Sequence, residues 1–283
     1  MTELQKTELE LLQQFLHVCE KLNLNYYLVC GSALGAAKYG GFIPWDDDID
    51  VALPRKDYET FCKESPRQLP EWCFLQNYRS EPQYYLLGSK LRDSRTTYVE
   101  KMAEHLNINH GVFIDIFPLD GQWKTESEYR TFKRMRSEFE AARRVRLSYN
   151  RLSPENIGML RTNWYWLLFR LFGYKSDTAA ETAVFDKYIS SFSIEDSDVW
   201  CNHANSTSPL EYAPKEQYGA GAWAKFEGLT VRIPEQYDAY LTQKYGDWRS
   251  ELPADEQHGH HYYVKCDLHR SYRDSTEADG KRR

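Results

Sequence analysis

Gly31-Ser32-Ala33-Leu34-Gly35-Ala36-Ala37-Lys38-Tyr39-Gly40-Gly41-Phe42-Ile43-Pro44-Trp45-Asp46-Asp47-Asp48-Ile49-Asp50 is the stretch on which the fold turns. Its acidic end has even spacing. In an extended segment, side chains two apart share a face, so Asp48 and Asp50 converge with Asp46 beside them. Two ionised carboxylates that close repel, and either one takes a proton or a cation lies between them. Oxygen ligands beside a phosphate substrate select Mg²⁺, or Mn²⁺ in its place. The blander readings are an acidic surface turn and a calcium loop. A calcium loop needs Gly where Val51 stands, and its flanks would not be strand-like. At the other end, Tyr26-Tyr27-Leu28-Val29-Cys30 predicts a short buried strand that ends at Gly31-Ser32. A helix over 33–39 follows and stops at Gly40-Gly41. A strand, a Gly-Ser pair and a helix start together present backbone N–H groups and a positive helix end to an anion. Gly31 permits close approach, and Ser32 can donate to a phosphate oxygen.

Outward from that stretch, Leu4, Leu11, Leu12, Phe15, Leu16, Cys19 and Leu22 recur at helical spacing and predict an amphipathic first helix. The acidic strand is expected to close at Pro54, with a helix over 56–62. Residues 84–99 predict a pair of strands around Asp93-Ser94. Gly111 to Phe117 predicts a buried strand ended by Pro118, and Asp115 is its only charge. A lone acid there is expensive unless it is paired with an Arg or Lys or binds metal. Thr125 and Glu128 form a capping box for a basic helix to about Leu147. Helices are expected over 163–172, 178–192 and 235–245, with loops and short strands between Trp200 and the last of these. Lys90 and Arg92 share strand parity and are candidate phosphate donors, as is Lys38; a solvated basic face is the alternative.

The chain has 283 residues with 36 Lys plus Arg against 42 Asp plus Glu, a formal charge of -6. That length buries a substantial core, and the acidic balance argues against general nucleic-acid binding. The first 24 residues carry charges throughout, so no secretory leader is expected. The apolar run from Trp164 to Phe172 is far short of the ~20 residues that span a bilayer. With Arg161, Arg170 and Lys175 around it, it could rest on a membrane surface. Cysteines 19, 30, 62, 73, 201 and 266 form no C-x-x-C pair, so they read as reduced thiols of a cytoplasmic protein.

The Gly-Ser pair followed by Asp48 and Asp50 resembles the signature of the nucleotidyltransferase (polymerase-β-like) superfamily. The whole run from Gly31 to Asp50 closely resembles the LicD family. So do Gly111 to Asp120, Tyr245-Gly246-Asp247-Trp248 and the pair His260-His261. The resemblance implies an α+β fold: a nucleotidyltransferase-like mixed sheet flanked by helices, with additional helical and C-terminal segments. It also implies a single domain over 1–266, with a core over about 24–122 and a helical and C-terminal part over about 123–266. The polar tail, 267–283, is expected to be disordered.

LicD-type enzymes transfer a phospho-substituent from a CDP-linked donor to a glycan hydroxyl, and in the superfamily a third carboxylate comes from a neighbouring strand. The implied site has Asp48, Asp50 and Asp115 as catalytic residues and ligands of Mg²⁺ or Mn²⁺. Gly31, Ser32, Lys38, Trp45, Lys90, Arg92, His260 and His261 are expected to bind substrate. CDP-choline is the first expectation among CDP-alcohols. The acceptor would be a cell-surface or lipid-linked glycan such as lipopolysaccharide or teichoic acid, met at the inner face of the membrane. A quaternary ammonium is held by ring faces, and Trp45 is the candidate for that role. The rival readings are another CDP-linked group (phosphoethanolamine, glycerol phosphate, ribitol phosphate or a phosphonate), nucleotidyl transfer to a small molecule, and an inactive nucleotide-binding module. The cysteine-based zinc site of the fukutin-type branch has no counterpart here.

Overall fold

The computed structural model describes residues 1–148, 178–204, 209–259 and 261–274. The chain is α+β, with a mixed sheet flanked by helices. The sheet runs β1(Tyr27–Leu28), β2(Asp50–Pro54), β6(Val112–Gly121), β4(Ser89–Asp93) and β3(Cys73–Gln76). The strands β7(Val199–Cys201) and β8(Tyr212–Pro214) extend it from the far end of β6. One junction, β2 with β6, is parallel, and the others are antiparallel. That parallel junction places Asp50 opposite Asp115.

Helix α1(Glu3–Leu22) begins at a capping box of Thr2 and Gln5 and ends at Asn23 in the left-handed region. Its Leu11, Leu12, Phe15 and Val18 are buried in the core with Val51, Leu53, Leu91, Ile114 and Ile116 of the sheet. Helix α3(Arg55–Glu64) contributes Tyr58 and Phe61 to the same core. A fully buried aliphatic side chain of this kind costs about 2–5 kcal/mol when cut to Ala. A second core lies between α4(Glu126–Ser148) and α5(Thr178–Ile189), where Phe132, Phe139, Phe185 and Phe192 pack. Thr125 and Glu128 exchange the expected capping bonds at the start of α4.

Several elements differ from the sequence expectation. Helix α2(Cys30–Tyr39) starts earlier, so Gly31 and Ser32 lie in its first turn. The acidic strand begins only at Asp50, and residues 46–49 are loop. Strand β6 runs through Pro118 to Gly121. Its pairing with β4 ends at Ile116, so Pro118 sits where the ladder is one-sided and a missing N–H is tolerated. Strands β4 and β5(Thr97–Glu100) do not form a hairpin. β4 lies between β3 and β6, whereas β5 pairs with β11(Tyr263–Asp267).

That last pairing returns the C-terminal segment to the sheet. Residues expected in a polar tail are held there: Ser271 donates to Ser94 O, and Tyr272 N–H donates to Thr96 O. Short elements complete the described residues: α6(Lys215–Tyr218), the hairpin of β9(Ala222–Phe226) and β10(Leu229–Ile233), and α7(Tyr237–Tyr245). The expected aromatic helix over 163–172 lies outside the described residues. No helix among the described residues is long and apolar enough to cross a membrane.

Candidate active site

Carboxylate oxygens of Asp48, Asp50 and Asp115 lie within 4.8 Å of one another. Three local features make that convergence. Asp50 opens β2 and Asp115 stands opposite it in the parallel ladder. The loop before β2 is pinned by Asp115 N–H donating to Ile49 O (2.8 Å). Asp50 itself is clamped to α2, because its N–H donates to Ser32 Oγ (2.8 Å) and its carbonyl accepts from Val29 N–H (3.0 Å). Ser32 therefore serves first as a brace between helix and strand, and this bond leaves its own hydroxyl proton uncommitted.

The start of α2 faces the acids. Cys30 has φ 52, a strained left-handed conformation for a residue with a side chain. Its N–H donates to the Tyr240 hydroxyl of α7 (3.2 Å). A Cβ on Gly31 would lie 2.8 Å from Asp46 Oδ2, so glycine is what lets that carboxylate approach the helix start. Asp46 rather than open space lies over the expected phosphate cradle.

Like charges in a partly buried pocket leave their mark. Burial, then the Asp46, Asp115 and Asp47 charges, push the Asp48 carboxyl up to about 7, with His261 opposing. Burial and Asp47 push Asp46 up to about 6. Asp50 is driven well above the usual carboxylate range by burial and by Asp48 and Asp115.

Lys90 is the charged partner that the alternative reading of Asp115 called for. Its register position is opposite Asp115, and its Nζ lies 3.4 Å from Asp115 Oδ2 and 3.4 Å from Glu100 Oε1. Arg92 shares that strand face but not the acid cluster. Its guanidinium donates to Gln76 Oε1 (2.6 Å), Gly111 O (2.7 Å) and Glu100 Oε2 (2.9 Å), and it is fully buried. Its donors are taken by these protein acceptors. Lys38 lies in the last turn of α2, the end away from Gly31, and is tied to Ser250 O (2.9 Å) and Glu251 (3.2 Å). Trp45 is half-buried in the turn before the acids, and among the described residues no second ring stacks on it to form a cage. His260 lies outside the described residues.

His261 reaches the site by a long route. Its backbone N–H donates to Asp47 Oδ2 (3.1 Å), its Nδ1 lies 3.3 Å from Asp47 Oδ1, and Asp48 Oδ2 is 3.8 Å away. Gly259 packs on the same carboxylate: a Cβ there would meet Asp47 Oδ2 at 2.5 Å. Asp47 therefore anchors the C-terminal segment onto the acidic loop.

Sequence reasoning missed Glu100, Glu8 and this role of Asp47. Glu8 is buried on α1 with Oε2 unpartnered, and burial together with Asp48, Asp47 and Asp46 pushes its carboxyl well up. The available signal was its place between Leu4 and Leu11-Leu12 on the apolar stripe of α1. For Glu100 and Asp47 no local pattern gives the partner.

Residues 23–146 match the family model described as LicD/FKTN/FKRP, nucleotidyltransferase domain, a span that holds all three acids and Lys90. Over 274 residues, 92% of this chain and 96% of the relative, the sequence is 24% identical to the lipopolysaccharide cholinephosphotransferase LicD of Haemophilus influenzae. With that domain around the acid cluster and that relative along almost the whole length, the chain is similar to LicD-type proteins.

Proposed function

We propose that this protein is a metal-dependent transferase built on a nucleotidyltransferase-type fold. It moves phosphocholine from CDP-choline to a sugar hydroxyl of a cell-surface or lipid-linked glycan and releases CMP. The observation that carries the reading is the gathering of Asp48, Asp50 and Asp115 beside the first turn of α2. The relative named as a cholinephosphotransferase supports choline as the transferred alcohol.

The three acids fit a hard divalent cation, because their donor set is carboxylate oxygen throughout and lies within 4.8 Å. Asp48, Asp50 and Asp115 would hold it. When bound, Mg²⁺ or Mn²⁺ offsets charge on the donor pyrophosphate and on the CMP leaving group. The chain's own groups do the rest. The first turn of α2, with Gly31 and the Ser32 hydroxyl, offers donors to phosphate oxygens. His261, fixed by Asp47, lines the opposite side of the acid loop.

The acceptor oxygen forms a bond to the choline-bearing phosphorus as the bond from that phosphorus to the bridging oxygen breaks. A carboxylate at the site takes the hydroxyl proton. Lys90 beside Asp115 gives that carboxylate a fixed positive neighbour, which suits a holding role. With a nucleotide donor inside the cell and a lipid-linked acceptor, the enzyme would work at the cytoplasmic face of a membrane.

Incubation with CDP-choline, Mg²⁺ and a glycan acceptor tests the proposal. Equimolar CMP and choline-bearing acceptor are expected. CMP attached to the acceptor would establish nucleotidyl transfer instead. Binding without turnover of any of the CDP-alcohols (choline, ethanolamine, glycerol, ribitol) would establish an inactive module. Thermal shift against the same panel ranks the donors, since a ligand of the native state raises the melting temperature by mass action.

A further inference from the structure

Among the acids of the site stands one side chain of opposite sign with almost no access to water. Lys90 is 2% exposed. Its Nζ lies 3.4 Å from Asp115 Oδ2, 3.4 Å from Glu100 Oε1 and 3.2 Å from the centre of the Phe113 ring. A carboxylate on either side and a ring face below leave the ammonium little reason to turn elsewhere. Glu100 is fixed in turn, because its other oxygen accepts from Arg92 (2.9 Å), and Arg92 is bound to Gln76 and Gly111 O. Backbone register fixes the lysine too, with Lys90 opposite Asp115 and Arg92 opposite Phe113. The result is a positive charge built into the sheet beside the third acid, held from behind by a carboxylate that takes no part in the acid cluster.

We propose that Lys90 is an internal counter-ion for Asp115: it holds the third carboxylate in place while no divalent cation is bound, and it weakens cation binding by competing for that carboxylate. The proposal rests on the metal reading of Asp48, Asp50 and Asp115. The physical ground is electrostatic. Asp115 faces one unit charge already, and any cation shared with Asp48 and Asp50 must sit near a second positive group. Both effects oppose binding at low effective dielectric. Lys90 is therefore a positioning residue. A lysine that only held Asp115, without competing for its charge, would behave in the opposite way, since its loss would loosen Asp115 and weaken the ion.

The test is a Mn²⁺ titration of the full chain without nucleotide, with free Mn²⁺ read by electron paramagnetic resonance and folding checked by circular dichroism. Wild type should bind Mn²⁺, and Lys90→Met should bind it about tenfold more tightly. Lys90→Arg keeps the charge and should stay within about twofold of wild type. Removing Lys90 leaves buried Glu100 with Arg92 as its remaining cation, so the double variant Lys90→Met/Glu100→Gln provides a second reading with the same expected gain. Unchanged or weaker binding in a folded Lys90→Met or double variant overturns the proposal while leaving the metal reading standing. Absence of Mn²⁺ binding in the wild type overturns both.

Discussion

Two groups of acids lie at opposite ends of β2, and they are built on opposite rules. At the Pro54 end, Asp120 and Asp186 meet Arg55, with guanidinium-to-carboxylate distances of 2.6, 2.7 and 2.9 Å, and Glu59 and Arg79 close the network. Burial opposes the Arg55 charge, but Asp120 and Asp186 hold it firmly protonated; burial also pushes the Asp120 carboxyl up to about 6, with Arg55 opposing. At the Asp50 end, Asp48, Asp50 and Asp115 face one another beside Asp46, with Lys90 next to Asp115 and His261 next to Asp48, and burial and mutual repulsion drive Asp46, Asp48 and Asp50 upward. The first group is complete as it stands and ties α3, β6 and α5 together. The second gathers like charge around Asp48, where burial and the neighbouring carboxylates push the acid up to about 7. The same residue type on the same strand pair is neutralised by an arginine at one end and faces like charge at the other.

Exchange of charge for amide should separate the two groups most sharply. Asp48→Asn with Asp50→Asn should lower turnover by at least about 10³-fold, the scale of lost electrostatic stabilisation. Its melting temperature should hold or rise, because repulsion is removed. A large fall in stability would place these acids with the structural group. Arg55→Met should do the reverse and cost about 3–5 kcal/mol in denaturant unfolding, because it leaves Asp120 buried and unpaired and leaves Asp186 with only Tyr78 and Arg79. A loss under about 1 kcal/mol would break the comparison.

Glu100 tests the boundary between the groups. Burial opposes its charge, but Lys90 and Arg92 hold its carboxyl down at about 2. A folded pKa below the unfolded value means that the unfolded chain binds the proton more readily. The stability from this pair is therefore full above about pH 4.5 and lost as pH falls toward 2, on the order of 3 kcal/mol in all. In Glu100→Gln, that part of the acid transition should disappear from melts between pH 5 and 2. The smallest effect is expected at Asp47. If its task is to anchor His261 and Gly259, Asp47→Asn costs about 1 kcal/mol and leaves Mn²⁺ affinity unchanged, whereas a large loss of affinity would move Asp47 into the ligand set.

What could be read in the sequence was what depends on spacing. Asp115 was legible because a lone charge in an apolar strand needs a partner, and the pairing of Asp48 with Asp50 because alternation brings them together. The structure reaches that convergence with Asp48 still in a loop. Helix α1 was legible from its stripe of leucines. What could not be read depends on partners distant in the chain. Strands β4 and β5 are close in sequence, yet β5 takes β11 as its neighbour, and only the folded sheet shows that choice. Arg92 has the parity of Lys90 but spends its donors on Gln76, Gly111 and Glu100, and no local pattern distinguishes it from a phosphate ligand. Pro118 looked like a terminator because a central strand rejects proline, and it is tolerated because β4 has already stopped pairing.

The account is tested most directly by calorimetric titration of Mn²⁺ into the wild type and into Asp115→Asn. It predicts one saturable binding event in the wild type and its loss in the variant, with the thermal transition of the variant intact. Equal binding in the two proteins would contradict it, because the acid of β6 would then have no share in the site.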